Sequence, residues 1–167
     1  AALEQVRAGQ TLPQALAQAA QRHRLAAASR AAMHDIAYRA VRRLGTCQAL
    51  AARLNARPAA PAVAALQAVA LAQLLEPGRR HEAVTVDQAV AAARLEPATR
   101  AAAAFLNATL RRFLREREPL LEAVLREPEA QWNHPRWWID ALRADYPASW
   151  QSILAADNEP PPMTLRV

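Results

Sequence analysis

The sequence predicts an all-α protein, and three observations support this fold class. Alanine is the most frequent of the 167 residues and leucine is abundant, and both residues favour helices. Glycine occurs only 3 times, and valine and isoleucine seldom alternate with polar residues as they do in strands. Apolar residues instead recur at i, i+3, i+4 and i+7, which is the spacing of helices with one buried face. The chain is long enough to bury a self-sufficient core.

Two short helices are predicted at the N-terminus. Leu3 and Val6 face inward in the first helix, which ends at Gly9, a residue suited to the left-handed cap position. Thr11 is a suitable N-cap and Pro13 fits a first helical turn. A second helix is therefore predicted from this point to about residue 20.

A longer third helix is predicted over residues 26–44, where the apolar spacing is clearest. Its buried stripe is predicted to consist of Met33, Ile36, Ala37, Ala40 and Leu44. Asp35 and Arg39 lie on the opposite side, four residues apart, and are placed to form an ion pair. A fourth helix is predicted over about 46–55, ending before the next proline.

The middle of the chain predicts the most buried helix of the domain at residues 61–76, because this segment is apolar on nearly every side. Residues 77–80 contain proline and glycine and are predicted to break it. Further helices are predicted at about 83–95 and 97–117, with a short one between Pro119 and Pro128 and two more between residues 134 and 156. The tail after these helices contains three consecutive prolines and is predicted to be extended.

The net charge of +6 is distributed unevenly along the chain. Residues 1–57 carry +7, residues 58–118 carry +2 and residues 119–167 carry −3. All 21 basic residues are arginine, whose planar guanidinium group suits phosphate and can stack on bases. Six of them lie within 22 residues that contain only one acid, and these are Arg22, Arg24, Arg30, Arg39, Arg42 and Arg43. Charge alone leaves two possibilities open: a polyanionic partner such as nucleic acid, contacted by at least three of the six and mostly at phosphates, or a solvated arginine-rich surface.

The segment FLNATLRRFLR at 105–115 has a second polar row beside an apolar stripe. The stripe is predicted to consist of Leu106, Leu110 and Phe113, and the row of Asn107, Arg111 and Arg115. The whole row is a candidate contact for a phosphate backbone or for another domain. For Asn107 a structural role is favoured, in which its side chain holds a neighbouring backbone carbonyl. For Arg111 two roles remain open, packing of its stem on the core or contact with RNA or another domain.

Other chemistries find little support in the sequence. The single cysteine, Cys47, excludes an internal disulfide and is predicted to be a small buried residue. The four histidines lack the spacing of metal ligands, and they are His23, His34, His81 and His134. No run of about 20 apolar residues is present, and the N-terminus lacks the pattern of a signal peptide. We expect a cytoplasmic protein with no catalytic residue, metal or cofactor in this segment.

All four tryptophans lie in the last 36 residues, within the negatively charged part of the chain. Trp137 and Trp138 are adjacent and have two possible roles, stacking on bases or packing against protein. Their acidic surroundings favour packing, either against the helical bundle or against another domain.

Six segments, in order, resemble the N-terminal part of bacterial 16S rRNA cytosine-C5 methyltransferases of the RsmB type, also called Sun or Fmu. They are RAAMHDIAYRAVRR (30–43), RPAAPAVAALQAVALAQLL (57–75), HEAV (81–84), FLNATLRRF (105–113), NHPRWWIDALRADYP (133–147) and NEPPPMTLRV (158–167). Asn107, Leu110 and Arg111 match the family's N-x-x-L-R pattern, and His134, Pro135 and Trp137 match its H-P-x-W.

The resemblance implies a helical NusB-like RNA-binding domain in front of a catalytic half that uses S-adenosylmethionine. It divides the chain into the NusB-like domain at 1–118, a helical connector at 119–157 and an extended lead-in at 158–167. The implied partners are small-subunit rRNA and the C-terminal methyltransferase domain, with no membrane involved. NusB-like bundles also bind protein partners in transcription antitermination, so a protein–protein interaction module is the alternative function.

Overall fold

The computed structural model describes residues 2–76 and 82–161, and these residues form helices and connecting turns without a strand. This confirms the all-α prediction. In chain order the helices are α1 (Ala2–Arg7), α2 (Leu12–Arg22), α3 (Ala27–Arg42), α4 (Leu44–Leu54), α5 (Pro61–Leu74), α6 (Glu82–Leu95), α7 (Pro97–Arg100), α8 (Ala103–Arg115), α9 (Arg117–Val124), α10 (Pro128–Trp132), α11 (Arg136–Asp145) and α12 (Trp150–Asp157). The predicted break at 77–80 lies outside the described residues, and so does residue 81, the first of the HEAV match.

Helix α5 is the centre of the bundle, as its sequence predicts. It packs against six helices, namely α1, α3, α4, α6, α7 and α8. Its one fully buried polar side chain is Gln67, which exchanges two hydrogen bonds of 2.9 Å with the Asn55 side chain. Gln67 Nε2 also donates to Thr109 Oγ1 at 3.3 Å. These partners satisfy the amide and make its burial tolerable in an otherwise apolar interior.

The first two helices end in left-handed residues. Gly9 has a φ of +97°, as predicted for the cap after α1. After α2 the left-handed residue is Arg24, with a φ of +48°. The amide of Leu25 donates to Ala20 and the amide of Arg24 to Gln21, which is the Schellman arrangement at a helix end. Arginine thus occupies a backbone conformation that glycine would adopt at lower cost.

The helix predicted over 97–117 is divided in the structure. Helix α7 ends at Arg100 and α8 begins at Ala103, because the backbone turns at residues 101–102. The buried hydroxyl of Thr99 donates to the Ala93 carbonyl at 2.9 Å and ties α7 to the end of α6. The turn lets α7 contact α5 while α8 packs along α6. Five alanines surround this point, so the sequence gives no local signal for the break.

The C-terminal helices form a second, smaller core, which we call the tryptophan cluster. Ile139, Leu142 and Leu154 are buried there, and Trp132, Trp138, Trp150 and Ile153 pack against them. Trp132 and Trp150 meet edge to face with ring centroids 5.3 Å apart, a favoured aromatic geometry. The predicted packing role therefore holds for Trp138, whereas Trp137 remains 69% exposed.

Candidate nucleic-acid interface

Helix α3 carries three of the six predicted RNA-contacting arginines, and its buried face is shallower than its sequence predicts. Of the five residues of the predicted stripe, Ala40 alone is fully buried. Met33, Ile36 and Ala37 are half-buried or more exposed, and they line an apolar groove of about 680 Å³ between α1, α2, α3 and α5. The stripe is present, but α2 makes few contacts with α3 and leaves the groove open.

The six arginines lie in two groups, one near each end of α3. Arg22 and Arg24 lie at the end of α2, and Arg30 lies in the first turn of α3 nearby in sequence. Arg39, Arg42 and Arg43 follow at the other end of α3. Because a helix rises about 1.5 Å per residue, Arg30 and Arg42 are separated by about 18 Å along the axis. The two groups are therefore too far apart along α3 to contact one phosphate, and an RNA that reached both would have to extend over several nucleotides.

Arg39 is the one arginine of the six with carboxylate partners within the described part of the chain. Its Nε lies 2.8 Å from Asp35 Oδ1, so the predicted i, i+4 ion pair is present, and its Nη1 lies 3.3 Å from Glu76 Oε2. The other five guanidinium groups have no ion pair among residues 2–76 and 82–161. Four of these five side chains are exposed, and Arg42 is half-buried. Five of the six arginines thus form no ion pair within the described part of the chain.

Helix α8 shows the second predicted row. Leu106, Leu110 and Phe113 are fully buried, which confirms the predicted stripe. Beside them Asn107 Oδ1 accepts a hydrogen bond of 2.9 Å from Arg111 Nε. This partner is a side chain, where the sequence predicted a backbone carbonyl. Arg115, one turn further, is exposed. Helices α3 and α8 both pack against α5, and no described contact joins the two rows of polar residues.

Sequence reasoning missed the contact that joins the two cores. At the start of α4 the backbone amide of Thr46 donates to Asn133 Oδ1 at 2.9 Å, and the Thr46 hydroxyl lies 2.7 Å from the Ala130 carbonyl oxygen. Asn133 has a left-handed backbone with a φ of +56°. A Cβ atom at Gly45 would collide with the carbonyl oxygen of Glu129. Glycine is therefore required where α4 and α10 approach most closely.

His134 belongs to the same junction. Its Nδ1 donates to the Trp132 carbonyl oxygen at 2.6 Å, and its Nε2 lies 3.7 Å from Asp157. Asn158 Nδ2 donates to the same carbonyl oxygen at 2.8 Å. The H-P-x-W pattern thus coincides with a structural joint of the C-terminal helices. The one available sequence signal was a glycine inside a helical segment, which usually has a packing reason.

The described residues do not present a recognisable reaction centre. Cys47 is fully buried, and burial raises the pKa of its thiol to about 12 although Arg43 acts in the opposite direction. Its thiolate, the reactive form, is therefore scarce near neutral pH. No three His, Cys, Asp or Glu residues of the described segments are grouped to hold a metal ion, and His81 lies outside those segments. No described helix has the length and apolarity needed to cross a membrane.

The fold defines the class of the protein, an all-α helical bundle, and five arginines on its N-terminal part form no ion pair among the described residues. Comparison with known proteins agrees with the all-α fold. The NusB family model matches residues 1–115, and a model of the RsmF/B-like methyltransferase ferredoxin-like domain matches residues 134–167. The chain belongs to the NusB family.

Similar proteins carry the name ribosomal RNA small subunit methyltransferase B. The protein from Cronobacter sakazakii is 32% identical over 151 residues, covering 87% of this chain and 34% of the relative. The Escherichia fergusonii protein is 35% identical over 144 residues, covering 83% and 32%. A Pseudomonas putida protein is 52% identical over 62 residues, covering 37% and 14%. These matches support the resemblance noted in the sequence. The chain spans at most about a third of the length of these relatives.

Proposed function

We propose that this chain is the RNA-binding N-terminal portion of a cytoplasmic, S-adenosylmethionine-dependent 16S rRNA cytosine-C5 methyltransferase. The observation that carries the proposal is the group of five arginines on and next to α2 and α3 that form no ion pair with a carboxylate of the described residues. The similarity to proteins named ribosomal RNA small subunit methyltransferase B supplies the class of RNA. In this role the chain contributes affinity and orientation, and it contributes no catalytic residue.

The arginine face would act through phosphates. Guanidinium groups present planar forks of N–H donors that fit phosphate oxygens, and such contacts set the register of an RNA without reading its sequence. Arg39 contributes less than its neighbours, because its charge is already shared between Asp35 and Glu76. Positioning a folded rRNA on a rigid bundle would present the target cytosine to a catalytic half.

The proposed division of the chain is the NusB-like domain at 1–118, the connector at 119–157 and the lead-in at 158–167. The ferredoxin-like match begins at residue 134, inside the proposed connector. Exposed Trp137 and the α8 row of Asn107, Arg111 and Arg115 are proposed as contacts to the catalytic half or to RNA. Residues 162–167, the greater part of the NEPPPMTLRV segment, lie outside the described structure.

S-adenosylmethionine is assigned to the catalytic half and not to these helices. Neither glycine in the described residues forms a phosphate- or nucleotide-binding turn: Gly9 caps α1, and Gly45 packs against α10. This use of the two glycines supports the proposal that the cofactor is held by the catalytic half.

The test is the salt dependence of RNA binding, measured by fluorescence anisotropy with a labelled fragment of 16S rRNA. If five arginines each neutralise one phosphate of a single strand, log K should fall against log salt with a slope of about −3.5. A flat slope, or no binding, would contradict the proposal. A methyl-transfer assay on this chain with S-adenosylmethionine should give no product, and product formation would contradict the assigned division of labour.

A protein–protein interaction module of the antitermination type is the second candidate, favoured by one observation. The groove of about 680 Å³ beside α3 is lined mainly by apolar side chains, including Leu3, Met33 and Leu66. Apolar grooves between helices accept amphipathic helices of partner proteins. Binding to such a partner would depend weakly on salt, so the anisotropy experiment separates the two functions.

A further inference from the structure

One ridge of α3 combines aromatic rings with two arginines that form no ion pair among residues 2–76 and 82–161. Residues four apart form a continuous row on a helix surface. Along α3 that row is Arg30, His34, Tyr38 and Arg42, and its two central members are aromatic. His34 is exposed, and Tyr38 is 37% exposed although most large apolar side chains of the bundle are buried. The bundle core therefore does not account for these rings.

The rings and the cation are already organised relative to one another. The His34 and Tyr38 ring centroids lie 6.2 Å apart with a tilt of 30° between the planes. The Arg42 guanidinium carbon lies 5.7 Å from the centroid of the Tyr38 ring, within cation–π range. This contact holds Arg42 beside the ring without neutralising its charge. A stacking surface and a phosphate-binding group thus lie next to each other.

The ridge borders a polar recess of about 500 Å³. Its walls are the C-terminal half of α3 and the segment at residues 158–160, and its lining includes Tyr38, Arg42, Arg43 and Asn158. Glu76 and Glu159 also line it, and Glu76 is paired with Arg39. The recess therefore offers both hydrogen-bond donors and hydrogen-bond acceptors around the rings. An apolar ligand would leave these groups without partners, so the recess favours a polar ligand.

We propose that this ridge binds an unpaired RNA nucleotide, with its base stacked on Tyr38 and His34 and its phosphates on Arg42 and Arg43. The inference rests on the proposed RNA-binding function and adds base contact to phosphate contact. Bases in an A-form duplex are stacked within the helix and cannot reach these rings, whereas bases in loops and single strands can. Stacking on an aromatic side chain strengthens binding by about tenfold and tolerates any base. The ridge should therefore select single-stranded rRNA over duplex.

The test compares Tyr38→Ala and Tyr38→Phe with Arg42→Gln, using anisotropy with a short single-stranded RNA and a duplex of the same sequence. We expect Tyr38→Ala to weaken single-strand binding about tenfold, with an unchanged salt slope and little effect on the duplex. Tyr38→Phe should bind like the wild type because it keeps the ring. Arg42→Gln should make the slope shallower by about 0.7. Circular dichroism checks that each variant is folded.

The outcomes separate this inference from the function on which it rests. If Tyr38→Ala binds like the wild type while Arg42→Gln weakens binding, phosphate contact stands and base stacking is wrong. Equal affinity of the wild type for single strand and duplex also contradicts stacking. If Tyr38→Phe is as weak as Tyr38→Ala, the ring is not the contact and the inference fails. Absence of RNA binding by the wild type overturns both.

Discussion

The helical bundle and the tryptophan cluster both have a packed core, but different residues fill the two cores. The bundle core contains many alanines and leucines, and the small side chains let α4, α5 and α6 approach closely. The cluster has three buried aliphatic residues and relies on the bulk of Trp132, Trp138 and Trp150. Charge divides the chain in the same way, since residues 1–57 carry +7 and residues 119–167 carry −3.

The smaller core of the tryptophan cluster shows that the cluster depends on the bundle for its folded structure. A core of three buried residues is too small to stabilise an independent unit. The cluster is connected to the bundle through α10, which packs against α4 at Gly45 and Thr46. Because all four tryptophans lie at or beyond α10, their fluorescence reports on this region alone, while far-ultraviolet circular dichroism reports mainly on the bundle.

The largest expected effect is from Phe113→Ala. Phe113 is fully buried in the bundle core, so we expect a loss of about 3–5 kcal/mol in the free energy of unfolding. The circular dichroism and tryptophan fluorescence transitions should shift together in urea titrations, because the cluster cannot stay folded when the bundle unfolds.

The matched variant is Leu154→Ala, and Leu154 is fully buried in the cluster. It should shift the fluorescence transition and leave the main dichroism transition nearly in place. Coincident transitions in Leu154→Ala would show one cooperative unit.

Gly45→Ala tests the joint between the two regions. The added Cβ would meet backbone atoms of Glu129 and Asn133, which cannot rotate away. Overpacking of this kind costs about 1–3 kcal/mol, and we expect α10 to separate from α4. Tryptophan fluorescence should then unfold at lower urea than the dichroism signal. Gly9→Ala is the control for backbone strain, since a Cβ there meets no neighbour. If Gly45→Ala keeps the wild-type urea midpoint of tryptophan fluorescence, the contact between α4 and α10 does not require glycine at this position.

Substitution of Asn133 should lower stability by a comparable amount, and the loss can be divided into two parts. Removal of its side chain leaves the Thr46 amide without its acceptor, at a cost of about 1–3 kcal/mol. Asn133→Gly removes the side chain but keeps the left-handed backbone accessible, whereas Asn133→Ala loses both. The Ala variant should be less stable than the Gly variant by about 1 kcal/mol. Equal urea midpoints for the two variants would exclude backbone strain at this position.

Arg24→Gly should give the smallest change in stability and one of opposite sign. Glycine suits the left-handed position after α2, so we expect the bundle to gain up to about 1 kcal/mol. The same change removes one of the five uncompensated charges, so the slope of RNA binding against salt should become shallower by about 0.7. Thermal unfolding and anisotropy measure the two effects on one variant. A less stable variant with unchanged RNA binding would contradict both expectations.

Much of the fold was predictable because periodicity and capping are local signals. The buried α8 stripe, the all-round burial of α5 and the cap at Gly9 all follow from residues close in sequence. The break between α7 and α8 was not predictable, since it depends on Thr99 and on packing against α5 within an alanine-rich segment. The Thr46–Asn133 contact joins residues 87 apart, and no local pattern encodes such a distance.

The candidate site was predictable to a similar extent. The clustering of six arginines and the Asp35–Arg39 pair could be read from spacing. The second partner of Arg39, Glu76, lies 37 residues away and required the fold. The alignment of His34 and Tyr38 with Arg42 follows i, i+4 spacing, but their exposure depends on how α2 and α5 cover α3.

The most direct measurement compares arginines of the two regions in RNA binding. The double variant Arg42→Gln/Arg43→Gln removes charge from α3, and Arg126→Gln/Arg143→Gln removes the same charge from the negatively charged C-terminal part. With a labelled 16S rRNA fragment, we expect the α3 pair to make the slope of log K against log salt shallower by about 1.4 and the control pair to leave it unchanged. Equal changes for the two pairs would show that net charge alone drives binding, and would contradict an RNA-binding face on α2 and α3.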